Sequence, residues 1–263
     1  MSPFQIRRLD DEVAYVTGAS SGIGSACAMR LAALGAHLHL GARRADRLES
    51  LASQIKREYP TAKVSVAPLD VQNEKSIREF IKIGQDRLGP CHTLVNNAGL
   101  ARGADRIENA DRQDWREMID TNVSGLFHVT QEVLPSMHSL SHANIVMIAS
   151  VAGVEPYAGG SVYCATKAAV QAFSQSLRAE LLGTKIRVLT FDPGMVDTEF
   201  SNIRFRDSQK AADAYRGMTP LSANDIADCV GFAVSRPLHM SIDRMLILAQ
   251  AQLGARQVAR TED

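Results

Sequence analysis

Short apolar runs alternate with stretches of helical periodicity along this chain, and that alternation constrains its fold more than any other feature. Val13–Thr17, Ala36–Leu40, Lys63–Ala67, His92–Val95, Ile145–Ala149, Ile186–Phe191 and Met245–Leu248 read as strands. Between them lie helix-like segments near Ile23–Leu34, Arg47–Tyr59, Asn73–Leu88, Asp111–Met137, Ser161–Leu182 and Ser222–Ser235. Gly35 and Pro60 stop the first two, and Ser222 with Asp225 forms a capping box that opens the last. Strands that are apolar throughout are buried on both faces, so the pattern predicts a doubly wound parallel α/β sheet with helices on both sides. No repeat, low-complexity tract or linker divides the 263 residues, which predicts one domain over 1–263.

Right-handed crossovers place the C-terminal ends of such strands on one edge, and ligands bind in the crevice outside it. Gly18, Asp70, Asn96, Ser150 and Pro193 all fall just after a strand, on that edge. The first strand runs into Gly18-Ala-Ser20-Ser21-Gly22-Ile23-Gly24, and a helix follows. Glycines allow a tight turn and close approach of backbone to a ligand. The open N–H groups and positive dipole end of the helix suit a diphosphate. The spacing is G-x-x-x-G-x-G, not G-x-G-x-x-G, so the placement between strand and helix carries the reading. An NAD site places an acid at the end of the second strand, to bond the ribose 2′-hydroxyl. Here Ala42 stands there, with Arg43 and Arg44 beyond. A guanidinium pairs bidentately with a 2′-phosphate, which predicts NADP held first by Arg43 and second by Arg44. Arg47 reads as part of a solvated basic helix face. Asp70 accepts from the adenine amino group or caps a helix.

Tyr163 and Lys167 are four apart in a helical stretch and share one face, with Ser150 at a strand end upstream. A free phenol titrates at about 10. An ammonium roughly 4 Å away, at an effective dielectric near 20, favours the phenolate by about 4 kcal/mol, or about 3 pKa units. The spacing therefore predicts a phenol tuned by Lys167 for proton transfer, with Ser150 bonding the substrate oxygen.

Lys+Arg and Asp+Glu both total 29, which gives no global pull toward nucleic acid or an anionic membrane. Cys27, Cys91, Cys164 and Cys229 form no C-x-x-C pair and read as thiols of a reducing compartment. The seven histidines show no metal spacing, and His37 and His39 read as strand-face residues. Met1–Glu12 is polar, unlike a signal peptide, and no run approaches transmembrane length. These features predict a soluble cytoplasmic protein acting on a small molecule without a metal.

Thr17-Gly-x-x-x-Gly-Ile-Gly24, Asn96-Asn-Ala-Gly99, Asn122, Ser150, Tyr163-x-x-x-Lys167 and Pro193-Gly194 together resemble the short-chain dehydrogenase/reductase family over essentially the whole chain. The resemblance implies a Rossmann-type fold of about seven strands. It implies a catalytic tetrad of Asn122, Ser150, Tyr163 and Lys167, in which Asn122 holds a relay water and Lys167 also bonds the nicotinamide ribose. Asn122 reads equally as a helix-kink residue satisfying backbone, which is compatible with that role. It implies coenzyme contacts from Gly18, Ser20, Ser21, Gly22, Ile23, Gly24, Asp70, Val71, Asn97, Ala98, Gly99, Pro193, Gly194, Val196 and Thr198. A narrower likeness, in Pro156-Tyr-Ala-Gly-Gly160 and in 193–205, is to the NADP-dependent 3-hydroxy acid (serine) dehydrogenase branch, whose relatives reduce sulfoacetaldehyde. That branch implies a small anionic hydroxy acid or aldehyde and substrate contacts at Ser150, Tyr157, Tyr163 and Arg204. It also implies a homotetramer whose C-terminal tail, here carrying Gln252, reaches a neighbouring subunit. Ala249 stands where the branch has Pro. Arg204 is equally readable as a surface salt bridge, and the loop 196–217 is long enough to be a substrate lid. The competing functions are reduction of another carbonyl class (3-oxoacyl or neutral ketone) and non-catalytic NADP-binding regulation. A halohydrin dehalogenase lacks the intact glycine loop and has Arg for the lysine, whereas this chain has Gly24 and Lys167.

Overall fold

The computed structural model describes residues 6–261, so the first five residues of the polar N-terminal stretch lie outside the described residues. Seven parallel strands form one sheet: β1 (Val13–Thr17), β2 (His37–Ala42), β3 (Val64–Pro68), β4 (Thr93–Asn96), β5 (Ala143–Ile148), β6 (Ile186–Pro193) and β9 (Arg244–Ile247). Their spatial order is β3-β2-β1-β4-β5-β6-β9. The chain winds outward from β1 to β3, returns, and winds the other way from β4. The order therefore reverses between β1 and β4, where open sheets bind their ligands.

Successive side chains of each strand enter opposite layers. Ala14 and Val16 of β1, Val146 and Ile148 of β5, and Leu189 and Phe191 of β6 join a core beneath α1 (Gly22–Ala33), α2 (Ala45–Glu58) and α9 (Ala223–Val234). Val13 and Tyr15, Ile145 and Met147, and Ile186 and Val188 join the other core. That core lies beneath α3 (Glu74–Leu88), α5 (Leu126–Met137) and α6 (Ser161–Glu180). Burying apolar side chains on both faces, at about 1.5–3 kcal/mol each, fixes the register that brings the strand ends level. His39 is a strand-face residue as expected: it is buried and stacks on Phe80 at 4.2 Å. The capping box is present, with the Ser222 hydroxyl accepting from Asp225 N and the Asp225 carboxylate accepting from Ser222 N.

Two stretches differ from the sequence reading. The helix expected over 111–137 is α4 (Arg112–Ile119) and α5, joined by a π-helical segment over Asp120–Gly125. The extra residue in that turn lets the Asn122 side chain leave the helix axis and bond Leu100 on both sides. Its Oδ1 accepts from Leu100 N and its Nδ2 donates to Leu100 O, each at 2.8 Å. The segment read as a loop over 196–217 is mostly ordered. It holds β7 (Val196–Asp197), α7 (Phe200–Phe205) and α8 (Ser208–Asp213), and β7 pairs with β8 (Leu221–Ser222).

Candidate active site

A cleft of about 530 Å³ opens over the C-terminal ends of β1, β4, β5 and β6. Of the coenzyme and substrate residues expected from sequence, all but Gly24 line it. Gly18 and Gly22 adopt φ of 64° and 55°, the left-handed region that suits glycine. A Cβ on Gly18 would lie 2.9 Å from the Ala98 Cα, so the two loops meet backbone to backbone. Thr17 clamps this junction: its Oγ1 accepts from Asn97 N and Ala98 N, both at 3.0 Å. The Asn97 amide donates to Thr17 O and Gly18 O, so its side chain holds the loop. Gly24 acts from behind, because a Cβ there would meet Gly18 O at 2.4 Å. Ser21, the N-cap of α1, makes no side-chain cap bond. Its hydroxyl accepts instead from Arg44 Nη2 at 2.7 Å, and Ser20 Oγ accepts from Arg44 Nε at 3.2 Å. An uncapped helix start beside a guanidinium is a cradle for anionic oxygens. The residues present therefore fit a dinucleotide. Arg43 is exposed at the cleft mouth. Asp70 accepts from Gln72 N at 3.0 Å, and the cap of α3 is Asn73.

At the other end, α6 delivers Tyr163 and Lys167, both buried. Burial pushes the Tyr163 phenol well above its ordinary value; the Ser150 hydroxyl and the Arg204 charge pull it down but do not offset burial. The ammonium of Lys167 donates to Ile148 O at 2.9 Å and lies 5.9 Å from the Tyr163 ring centroid. The expected acidification of the phenol by Lys167 is thus not present in the chain alone, because the lysine is turned to a backbone carbonyl. Burial lowers Lys167 itself to about 8, against the raising effect of Asp192. Ser150 Oγ accepts from Ala152 N at 3.1 Å. The Asn122 Nδ2 also donates to Thr166 Oγ1 at 3.1 Å, and Thr166 donates to Tyr163 O at 2.7 Å, which ties the π segment to the turn of α6 that holds Tyr163. Gly99 fits between these groups, since a Cβ there would be 3.2 Å from Asn122 Oδ1 and 3.6 Å from Lys167 Nζ.

Arg204 is turned inward. Its Nη1 donates to the Tyr157 hydroxyl at 2.9 Å and its Nε to Gly103 O at 3.1 Å, with the guanidinium carbon 5.8 Å from the Tyr163 ring centroid. Gln252, expected to reach another subunit, is engaged within its own chain: its Oε1 accepts from Met195 N at 2.8 Å. The tail then carries Arg256 over the Tyr157 ring at 4.8 Å.

The sequence reading missed Gln171, whose Nε2 donates to Asp192 Oδ1 at 2.7 Å and Ser150 O at 3.2 Å. It lies four residues beyond Lys167 on the same helix face, and that spacing was the available signal. It also missed Glu199, which pairs with Arg44 and Arg47.

A family model described as short chain dehydrogenase matches residues 12–209. The chain belongs to this family. Among its relatives, an NADP-dependent 3-hydroxy acid dehydrogenase of Schizosaccharomyces pombe is 40% identical over 259 residues, covering 97% of this chain and 99% of that one. Sulfoacetaldehyde reductase 2 of Chromohalobacter salexigens is 41% identical over 243 residues, covering 92% and 95%. The closed form of serine dehydrogenase complexed with NADP+ superposes with a TM-score of 0.88 at 37% identity, covering 95% of this chain and 100% of that one. This short-chain dehydrogenase is accordingly an oxidoreductase on a single-domain Rossmann fold. Among the described residues, no helix is long and apolar enough to cross a membrane.

Proposed function

We propose that this enzyme uses NADP(H) to interconvert a small anionic hydroxy compound, a 3-hydroxy acid or the alcohol of a short anionic aldehyde, with its carbonyl. The observation that carries this reading is Arg204. Its two hydrogen bonds go to a phenol and a carbonyl, so a full positive charge is held beside Tyr163 without a carboxylate partner among the described residues. A carboxylate or sulfonate bonded there would lie a few atoms from the reacting carbon, where positioning contributes most.

The glycine loop, the start of α1, Arg43, Arg44 and the 97–99 and 193–198 segments would hold the coenzyme, with Lys167 at its ribose. The coenzyme supplies or accepts the hydride. Tyr163 keeps its proton in the coenzyme-free site, which is the state needed to protonate a forming alkoxide. Ser150 presents a hydroxyl from a fixed turn to the same oxygen. Asn122 sets the geometry between the Leu100 backbone and α6, and from there would hold the relay water. The lid role of 196–217 is supported by α7, which carries Arg204 over the cleft. Cytoplasmic residence is supported by four free thiols. Assembly as a homotetramer is supported by exposed Phe232, Leu238, Met240 and Leu246 around the edge strand β9.

The test is NADPH oxidation with small aldehydes and keto acids, by the wild type and by Arg204→Ala. The anionic substrates should lose about tenfold or more in kcat/KM and the neutral ones little. Equal losses in both classes would remove the anion clamp.

A further inference from the structure

Glu199 stands where the 2′-phosphate reading needs an open cation. It is the residue after Thr198 and the N-cap of α7, yet its carboxylate reaches back over the coenzyme end of the cleft. Its Oε2 accepts from Arg44 Nη1 at 2.8 Å, and Oε1 accepts from Arg47 Nη1. The remaining nitrogens of Arg44 are aimed at Ser20 and Ser21, at the glycine loop. One guanidinium fork therefore has its inner edge on the phosphate loop and its outer edge on a carboxylate from the substrate lid. The carboxylate is held ionised at about 2 by hydrogen bonds from Arg47 and Arg44. A phosphate monoester and a carboxylate compete for the same face of a guanidinium, because both accept its paired N–H groups.

We propose that Glu199 is a coenzyme-selectivity residue: its carboxylate occupies Arg44 as an internal rival of the 2′-phosphate, and a coenzyme bearing that phosphate binds by displacing it. This rests on the NADP reading above. The rivalry lowers the affinity for the phosphorylated coenzyme below what Arg43 and Arg44 alone would give. It also links the coenzyme end to the substrate end, since Glu199 opens the helix whose last turn carries Arg204. Any displacement of Glu199 acts on the start of that six-residue helix.

The experiment measures binding of 2′,5′-ADP and of 5′-AMP by calorimetry at low salt, to the wild type and to Glu199→Gln. The variant keeps the shape of the side chain and removes its charge. The rival model expects 2′,5′-ADP to bind about threefold or more tighter to Glu199→Gln, with 5′-AMP changed much less. If 2′,5′-ADP binds the variant equally or more weakly, Glu199 orients Arg44 instead of competing for it, and the proposal is overturned. An equal gain for both nucleotides would reduce Glu199 to a diffuse charge and overturn it as well. If the wild type itself prefers 5′-AMP or shows no preference, the NADP reading fails first, and that outcome is visible without the variant.

Discussion

The Lys167 ammonium is bonded to the Ile148 carbonyl at 2.9 Å and leaves the Tyr163 phenol to its buried surroundings. Burial lowers the lysine from 10.5 to about 8. Between those values the unfolded chain binds a proton that the folded chain does not, so this residue makes stability rise with pH across about 8 to 10.5. Below that window the buried charge is a constant penalty. Denaturation of coenzyme-free wild type and Lys167→Met in urea at pH 7.5 and 9.5 isolates the effect. Wild type should gain about 1–2 kcal/mol on the variant over that interval. A flat or falling difference would show that the ammonium stays charged in the fold.

Tyr163→Phe removes the proposed proton carrier and little else, since Phe fills the same buried space beside Phe200. Turnover should fall at least about 100-fold, the range for a lost general acid. Affinity for 2′,5′-ADP should be unchanged, because the proposed site for that fragment is at the far end of the cleft. Full turnover in a folded, coenzyme-binding variant would refute the assigned role of the phenol.

Much of this site was legible because its residues sit where apolar runs stop. Gly18, Ser150 and Pro193 mark strand ends by composition alone, and the i, i+4 spacing of Tyr163 and Lys167 survives into α6. What the spacing did not contain was environment. Lys167 could be placed on the right face, but only the packing of α6 against β5 shows that its partner is a carbonyl. The Glu199–Arg44 pair joins residues 155 positions apart and follows no local pattern. Helices α7 and α8 have six residues each, too few for a helical period to emerge. The π segment was hidden for the opposite reason, because it continues a helix on both sides.

Arg43→Ala should weaken NADP by about tenfold while leaving NAD nearly unchanged, as expected when a charge-assisted contact to the 2′-phosphate is lost. The ratio of KM values for the two coenzymes, measured on one substrate, reads this directly. Equal weakening would move the phosphate contact to Arg44 alone, which is already anchored between Ser20, Ser21 and Glu199.

Two glycines with similar backbone angles separate conformational strain from crowding. Gly18 has φ of 64° and Gly183 φ of 83°. A Cβ on Gly183 meets nothing within 4 Å, whereas one on Gly18 meets Ala98 Cα and Asn97 Nδ2 at 2.9 Å. Gly183→Ala should therefore cost only the left-handed penalty, about 1–2 kcal/mol, without touching the site. Gly18→Ala adds a backbone collision that pushes the β1 loop off the β4 loop, so it should cost more and also abolish 2′,5′-ADP binding. Thermal unfolding and nucleotide titration of both variants check this. If the two lost the same stability and both kept the nucleotide, close approach of the β1 and β4 loops would not be what builds the phosphate cradle.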